Sequence, residues 1–402
     1  MSASHPTIVL CLASYFKGAP LLRECKALGC RVLLLTVTSL QNADWPRESI
    51  DELFVMPDLY RRDDVMNAVS YLIRSEAIDR IIPLDEFDLE MAAALREHLR
   101  VPGMGETTVR YFRDKLAMRV RARTDEIAVP QFAPLLNRGR IDEFIASVKP
   151  PWLMKPRFSA SAIGIKKIDD ASQLWRTMDE LGDEQSLHLL EEFVPGDVFH
   201  VDAITWEKEI VFAEASGYVQ PPFDVYHHGG LFATRMLDRD SDDARALVDI
   251  NRAVLTALGY RRGVTHTEFI RSKADGRVFF LETAARVGGA NIVDMIEAGT
   301  GINLWREWAR LEVADARKED YVPPASRGNY AGMISSLARQ EWPDTAGYSE
   351  SEIVWRLNKR HHVGLIVAAP TAQRVDELVH AYLPRIQADF HASMPAPETP
   401  FD

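Results

Sequence analysis

Apolar residues fall in short runs and periodic clusters along the chain, and their spacing predicts strands and helices in mixed order. Thr7 to Ala13 is an apolar strand. Gly18-Ala19-Pro20 opens a helix reaching about Leu28, and Gly29 ends it. Arg31 to Val37 is a second strand, so the start of the chain reads as a strand-helix-strand unit of a parallel sheet. Asp64 to Glu76 reads as a helix and Arg80 to Leu84 as another strand. Residues 1–105 therefore read as a small Rossmann-like lobe, bounded by Gly103-Met104-Gly105. The lobe contains no G-x-G-x-x-G, so it is not assigned a dinucleotide.

Beyond that boundary the pattern predicts one helix from Thr107 to Arg123, rich in basic residues. Pro150-Pro151 breaks the chain before the strand WLMKP. Leu187 to Phe193 and Val198 to Ile204 are further strands. Asp242 to Leu258 is a helix ended by Gly259, and Ile302 to Ala314 is a helix whose Trp305 and Trp308 serve the core. After Pro323-Pro324 come two more strands, Tyr330 to Ser335 and Val363 to Ala368. No internal repeat is visible.

The densest chemistry lies between Gly263 and Asn291. Two apolar runs, THTEFI and VFFLET, flank the turn segment Ser272–Arg277, which contains an Asp-Gly pair. This is the pattern of a β-hairpin with a slightly long loop. Its strands bring Glu268 and Glu282 together, and Arg286 with Gly288 and Gly289 follows. Two carboxylates and an arginine suggest a metal ion facing a phosphate: Mg²⁺ takes carboxylate oxygens, and arginine stabilises phosphoryl or oxyanion charge. The competing reading is a surface hairpin with ordinary salt bridges.

Composition narrows the partners. The chain has 402 residues, enough for two or three lobes, and 47% of them are apolar, an ordinary globular mixture. A net charge of −12 disfavours nucleic acid. The three cysteines, Cys11, Cys25 and Cys30, have no metal spacing and fit a reduced compartment. No run reaches the ~20 apolar residues of a membrane helix. A cytoplasmic protein without a membrane partner is the expectation.

The hairpin resembles the metal-binding end of the ATP-grasp superfamily, whose usual form is Glu, about a dozen residues, then Glu-x-Asn-x-Arg. Here Glu282-Thr283-Ala284-Ala285-Arg286 has Ala284 where the Asn is usual, and with THTE it looks most like the dipeptide-forming L-amino acid ligases of that superfamily. Further windows follow the same order over roughly residues 106–315. Lys115 in RDKLAMR matches a phosphate-binding lysine. Lys155 in WLMKPRFSASAIGI, followed by Ser159, Ser161 and Gly164, resembles the mobile phosphate loop, where small side chains let backbone N–H groups approach oxygens. Glu191, Glu192, Phe193 and Val194 resemble the adenine hinge, with Glu191 accepting from the exocyclic amine. Asp197 stands one position off the usual ribose-binding acid.

The resemblance implies an α/β protein of α+β lobes with the ATP-grasp fold. The expected parts are the Rossmann-like pre-ATP-grasp domain (1–105), the ATP-grasp domain (106–315, lid lobe about 130–195), and a small C-terminal α+β segment (316–402) packing on that core. It implies an ATP-dependent carboxylate–amine ligase with ATP and Mg²⁺ (Mn²⁺ as substitute), acting on a small-molecule carboxylate and amine, with amino acids expected, and is compatible with a homodimer. Glu268 and Glu282 would hold metal. Arg286 and the N–H groups near Gly289 would stabilise the tetrahedral oxyanion. Gly288 and Ala290, with Arg286, would line the substrate pocket, and His228, in the Gly-, Pro- and aromatic-rich stretch Gly217–Gly230, would approach it. His266 shares a strand face with Glu268 and is expected to orient it. Two alternatives stay open: a carboxylase or purine-pathway type of ATP-grasp ligase using bicarbonate or formate, and a non-catalytic nucleotide-binding protein of the same fold.

Overall fold

The computed structural model describes residues 6–159 and 162–393, apart from the side chain of His228. Three sheets organise them. The first is parallel: Ile8–Ala13 lies between Arg31–Val37 and Arg80–Pro83, and Glu52–Met56 closes the edge beyond Arg31–Val37. Its central strand IVLCLA is buried at every position, which is why it reads as a continuous apolar run. Gly29, at φ +76°, ends the first helix in the left-handed region that glycine adopts without steric cost. All three cysteines are buried and free, and burial pushes the Cys30 thiol up.

A four-stranded antiparallel sheet forms a lid: Phe132–Pro134, His188–Glu192, Trp152–Pro156 and Lys166–Ile168. It has its own apolar cluster, in which Trp152, Met154 and Leu190 pack against Ile141 and Phe144 of one helix and Leu174 and Met178 of another.

The third sheet has eight strands. The hairpin strands Val278–Ala284 and Gly263–Ser272 form one end, followed by Gly196–Trp206, Glu209–Tyr218 and Phe232–Met236. Tyr330–Leu337, His362–Ala369 and Ile353–Arg356 then extend the same sheet. The last part of the chain is therefore woven into the central sheet by main-chain hydrogen bonds. The helix Leu304–Arg317 packs against the first helix of the parallel lobe, and Trp308 is buried there.

The single helix expected over 107–123 is in fact three pieces: Glu106–Val109, a 3₁₀ turn Arg110–Phe112, and Lys115–Thr124. Asp114 causes the break. Its carboxylate accepts from Leu116 N at 3.0 Å and caps the last piece, while Arg157, just after the strand Trp152–Pro156, holds the same carboxylate at 2.9 Å. The cap places Lys115 at the first position of a helix and fixes where its side chain starts.

Candidate functional site

A cavity of about 550 Å³ opens between the lid sheet and the hairpin. That volume falls in the range of small-molecule sites.

The hairpin forms one wall. Glu268 and Glu282 are direct cross-strand partners, and after them the register slips so that Phe269 faces Phe280. Leu281 is left as the extra residue of a β-bulge, a feature common beside functional sites. Phe269 and Phe280 point into the core, while Glu268, Leu281 and Glu282 face the cavity. The Leu281 carbonyl accepts from Arg119. The carboxylates remain partly exposed, 20% for Glu268 and 32% for Glu282. Two such oxygen donors, in register and open to the cavity, are the kind a hard divalent cation takes.

Behind Glu268 lies a buried polar relay. Tyr218 Oη donates to Glu268 at 2.9 Å, and His266 Nε2 stands 3.5 Å from the same oxygen. His266 Nδ1 meets Asp202 at 2.9 Å, Asp202 meets His200 at 2.6 Å, and His200 Nε2 meets Thr234 at 2.7 Å. Burial alone would lower the His266 pKa, but the carboxylates of Asp202 and Glu268 lift it to about 9. Burial would raise Asp202, yet its two histidines hold it well below the usual carboxylate range. His200, Asp202 and His266 have ligand atoms within 4.8 Å of one another. Their ring nitrogens are already committed to this relay, so the cluster acts as a brace for Glu268. His266 thus contacts Glu268, the residue it is expected to orient.

The lid supplies the opposite wall. Along Trp152–Pro156, Trp152 and Met154 enter the lid core while Leu153 and Lys155 face the cavity, as strand alternation requires. Lys155 is paired with Glu191, and Glu191 also accepts from Arg119 Nε at 2.7 Å. Burial would raise the Glu191 pKa, but Arg119 and Lys155 hold it below the usual range. Phe193 and Val194 continue this wall, and Glu192 lines it while accepting from Gln131 N at 3.3 Å.

Lys115 joins the walls. Its ammonium lies 3.0 Å from Glu282 and donates to the Ser159 carbonyl. Arg286 donates to Glu86 of the parallel lobe at 2.7 Å and to the Val287 carbonyl at 2.8 Å. Glu86 is also held by Arg113 at 2.9 Å. Gly289 and Ala290 line the cavity, and Ala290 and Asn291 both have positive φ, at +50° and +65°. The short helix Pro222–His228 forms a third side through Phe223 and Tyr226.

Several expected residues sit elsewhere. Asp197 does not line the cavity. It is 57% exposed and lies 3.7 Å from Lys273, while its neighbour Val198 faces inward. Glu191 does line the cavity, where its two oxygens are engaged by Lys155 and Arg119. Gly164 and Gly288 lie just outside the lining. Gly164 has φ +74°, and a Cβ there would meet Pro156 at 2.8 Å. A Cβ on Gly288 would come within 2.9 Å of Asp202. Ser161 and the side chain of His228 lie outside the described residues.

Glu86 and Asp202 carry no signal in the sequence, while Arg113 and Arg119 read only as part of the basic helix run and Tyr218 only as part of the stretch Gly217–Gly230. Arg119 stands four positions after Lys115, on the same helix face, and that spacing was a usable signal. Glu86 reaches Arg286 across 200 positions, and no local pattern announces it.

No family model matches the chain. It is 23% identical, over 319 residues and 76% of each chain, to the L-arginine-specific L-amino acid ligase of Bacillus subtilis. Its fold superposes on the L-amino acid ligase of Bacillus licheniformis with a TM-score of 0.75 and 17% identity, covering 97% of this chain and 99% of the other. A carboxyaminoimidazole ribonucleotide synthase from Aspergillus clavatus, solved with ATP, gives a TM-score of 0.72 at 15% identity, over 96% and 99%. These likenesses show that the chain has the ATP-grasp fold and is similar in sequence to amino acid ligases.

Proposed function

We propose that the protein is a carboxylate–amine ligase that joins two amino acids through an acyl phosphate, releasing ADP and phosphate. One observation carries this reading: Glu268 and Glu282 face the cavity in register, with Lys115 at Glu282 and Lys155 on the opposite wall. Carboxylates on one side and lysines at both edges suit a metal-bound polyphosphate.

Bound Mg²⁺, with Mn²⁺ as a substitute, would be held by Glu268 and Glu282 and would neutralise phosphate charge. Lys155 and Lys115 hold phosphate oxygens, helped by backbone N–H groups of the loop that includes Ser159. The backbone at Glu192 to Val194 takes the adenine edge, and Phe193 covers the ring.

The first substrate's carboxylate oxygen attacks the γ-phosphorus. An O–P bond forms, the bond to the bridging oxygen breaks, and ADP leaves. The second substrate's amine nitrogen then attacks the acyl carbon. The C–N bond forms, the C–O bond to phosphate breaks, and the amine proton goes to solvent or to the departing phosphate. Arg286 and the N–H groups near Gly289 stabilise the oxyanion of that step. Arg286 is suited to this because Glu86 fixes its guanidinium in one place. Gly289 and Ala290 leave room for the first side chain.

The sequence relative from Bacillus subtilis supports amino acids as substrates. No helix among the described residues is long and apolar enough to cross a membrane. The three buried free cysteines fit a reducing cytoplasm. The test is a phosphate-release screen of amino acids, singly and in pairs, with mass spectrometry of the products. A pair-dependent release that yields a dipeptide mass is expected. Release with bicarbonate or a non-amino carboxylate alone would replace this reading with a carboxylase type.

A further inference from the structure

A second cavity, about 880 Å³ in volume, lies at the other end of the parallel sheet. The strand Arg80–Pro83 begins at this cavity and ends just before Glu86, which contacts Arg286 in the first one. Ala285 lines the second cavity and Arg286 the first, so the two share a peptide.

The lining of the second cavity is cationic in a chain that is anionic overall. Seven arginine and lysine side chains meet three carboxylates there. At its floor, Arg80 and Arg262 are both nearly buried and converge on Glu312 and Asp315. Arg262 lies 2.6 Å from Asp315 and 3.4 Å from Glu312, and Arg80 pairs with Asp315. The Nε atoms of Arg80 and Arg262 are buried and make no hydrogen bond among the described residues. Among the described residues, buried Arg96 hydrogen-bonds only to carbonyls, those of Ile81 and Met104, and burial pulls its pKa down. Asp79 is used by the Ile8 amide at 2.8 Å.

A purely structural network would balance three buried guanidinium groups with as many carboxylates, because an unpaired buried charge is costly. This floor has two. At the rim, Arg100, Lys208 and Lys318 are exposed and form no ion pair among the described residues. Tyr260 and Trp308 supply apolar surface beside the charges.

We propose that this cavity binds a small polyanion carrying phosphate or carboxylate oxygens. Its oxygens take the surplus positive charge of the floor and the free rim cations, in charge-assisted hydrogen bonds. This site is independent of the nucleotide cavity and of the ligase reading.

The test is calorimetry on the full chain at low salt, with inorganic pyrophosphate and citrate as separate probes. The proteins are the wild type, the Lys155→Ala variant of the first cavity, and the rim variant Arg100→Glu/Lys208→Glu/Lys318→Glu. The rim residues are exposed, and circular dichroism checks that the variant folds. At least one probe should bind wild type and Lys155→Ala alike, weaken with salt, and lose about tenfold or more in affinity in the rim variant. Which probe binds tells whether phosphate or carboxylate oxygens are preferred. If neither probe binds, if the rim variant binds as tightly as wild type, or if Lys155→Ala alone abolishes binding, the proposal is overturned.

Discussion

Two carboxylate sites face each other across the main cavity, and they are built on opposite plans. On the lid, Glu191 is buried and fully neutralised by Lys155 and Arg119. On the hairpin, Glu268 and Glu282 stay partly exposed, braced from behind by Tyr218 and His266 and approached from the side by Lys115. The first arrangement spends its charge on holding the lid wall together. The second keeps charge available to something that enters. A carboxylate's surroundings, and not its presence in a cavity, thus decide whether it serves stability or chemistry.

The sharpest way to break this contrast is to neutralise one carboxylate on each side. Glu191→Gln leaves two buried cations without their anion and should lower stability by about 3–5 kcal/mol, read as a fall in denaturant midpoint at unchanged m. A midpoint near wild type would mean that Glu191 is not the keystone of its wall.

Next is the carboxylate that ties Arg286 to the parallel lobe. Burial would raise the Glu86 pKa, but Arg286 and Arg113 hold it down to about 2, against an ordinary 4.5. A depressed carboxyl contributes stability that is present above its unfolded pKa and lost as pH falls through the folded one. About 3 kcal/mol should therefore disappear between roughly pH 4.5 and 2, and Glu86→Gln should flatten that limb of a stability–pH curve. An unaltered acid limb in the variant would disprove the coupling.

Glu282→Gln inverts the Glu191 result. Its stability cost should be about 1 kcal/mol, while metal-dependent turnover falls by about 10²-fold or more. Near-normal turnover would remove the hairpin from the catalytic machinery. Lys155→Ala and Lys115→Ala should each weaken binding of a non-hydrolysable ATP analogue by about 1.5–3 kcal/mol in calorimetry, and unchanged affinity in both would return them to structure alone. The smallest expected effect belongs to Ala290→Trp, which overfills the wall beside Arg286. A cost of about 1–3 kcal/mol in the specificity constant for the bulkiest accepted substrate is expected, while small substrates are spared. An unchanged substrate profile would place the side-chain pocket elsewhere.

Much of this was legible because it is local. The parallel lobe announced itself through two apolar runs, Thr7 to Ala13 and Arg31 to Val37, with a helix ended by Gly29 between them, and the hairpin through its two runs and an Asp-Gly turn. The turn fixes the register from Arg271 opposite Val278 to Phe269 opposite Phe280, but bringing Glu282 opposite Glu268 needs the bulge at Leu281, which no local pattern announces. What failed to show depends on distant contacts or on strand parity. The basic run at 107–123 hid its break because Asp114 looks like one more charge on a helix face until Arg157 comes to meet it. Asp197 misled for a different reason: Val198, His200 and Asp202 share one parity on their strand, and Asp197 necessarily points the other way. The extension of the central sheet by the last strands could not be read at all. Phe232–Met236 pairs with Tyr330–Leu337 about a hundred positions away, and nothing in either segment names the other.

The separate apolar cluster of the lid has a thermodynamic consequence. A module with its own core opens as its own cooperative unit, so amide exchange in Trp152–Pro156 and His188–Glu192 should report lid opening at a lower free energy than global unfolding. A nucleotide gripped between Lys155 and the hairpin would add its binding free energy to that opening step. Ligand occupancy would then be readable as slowed exchange in the lid, even where the average structure barely changes.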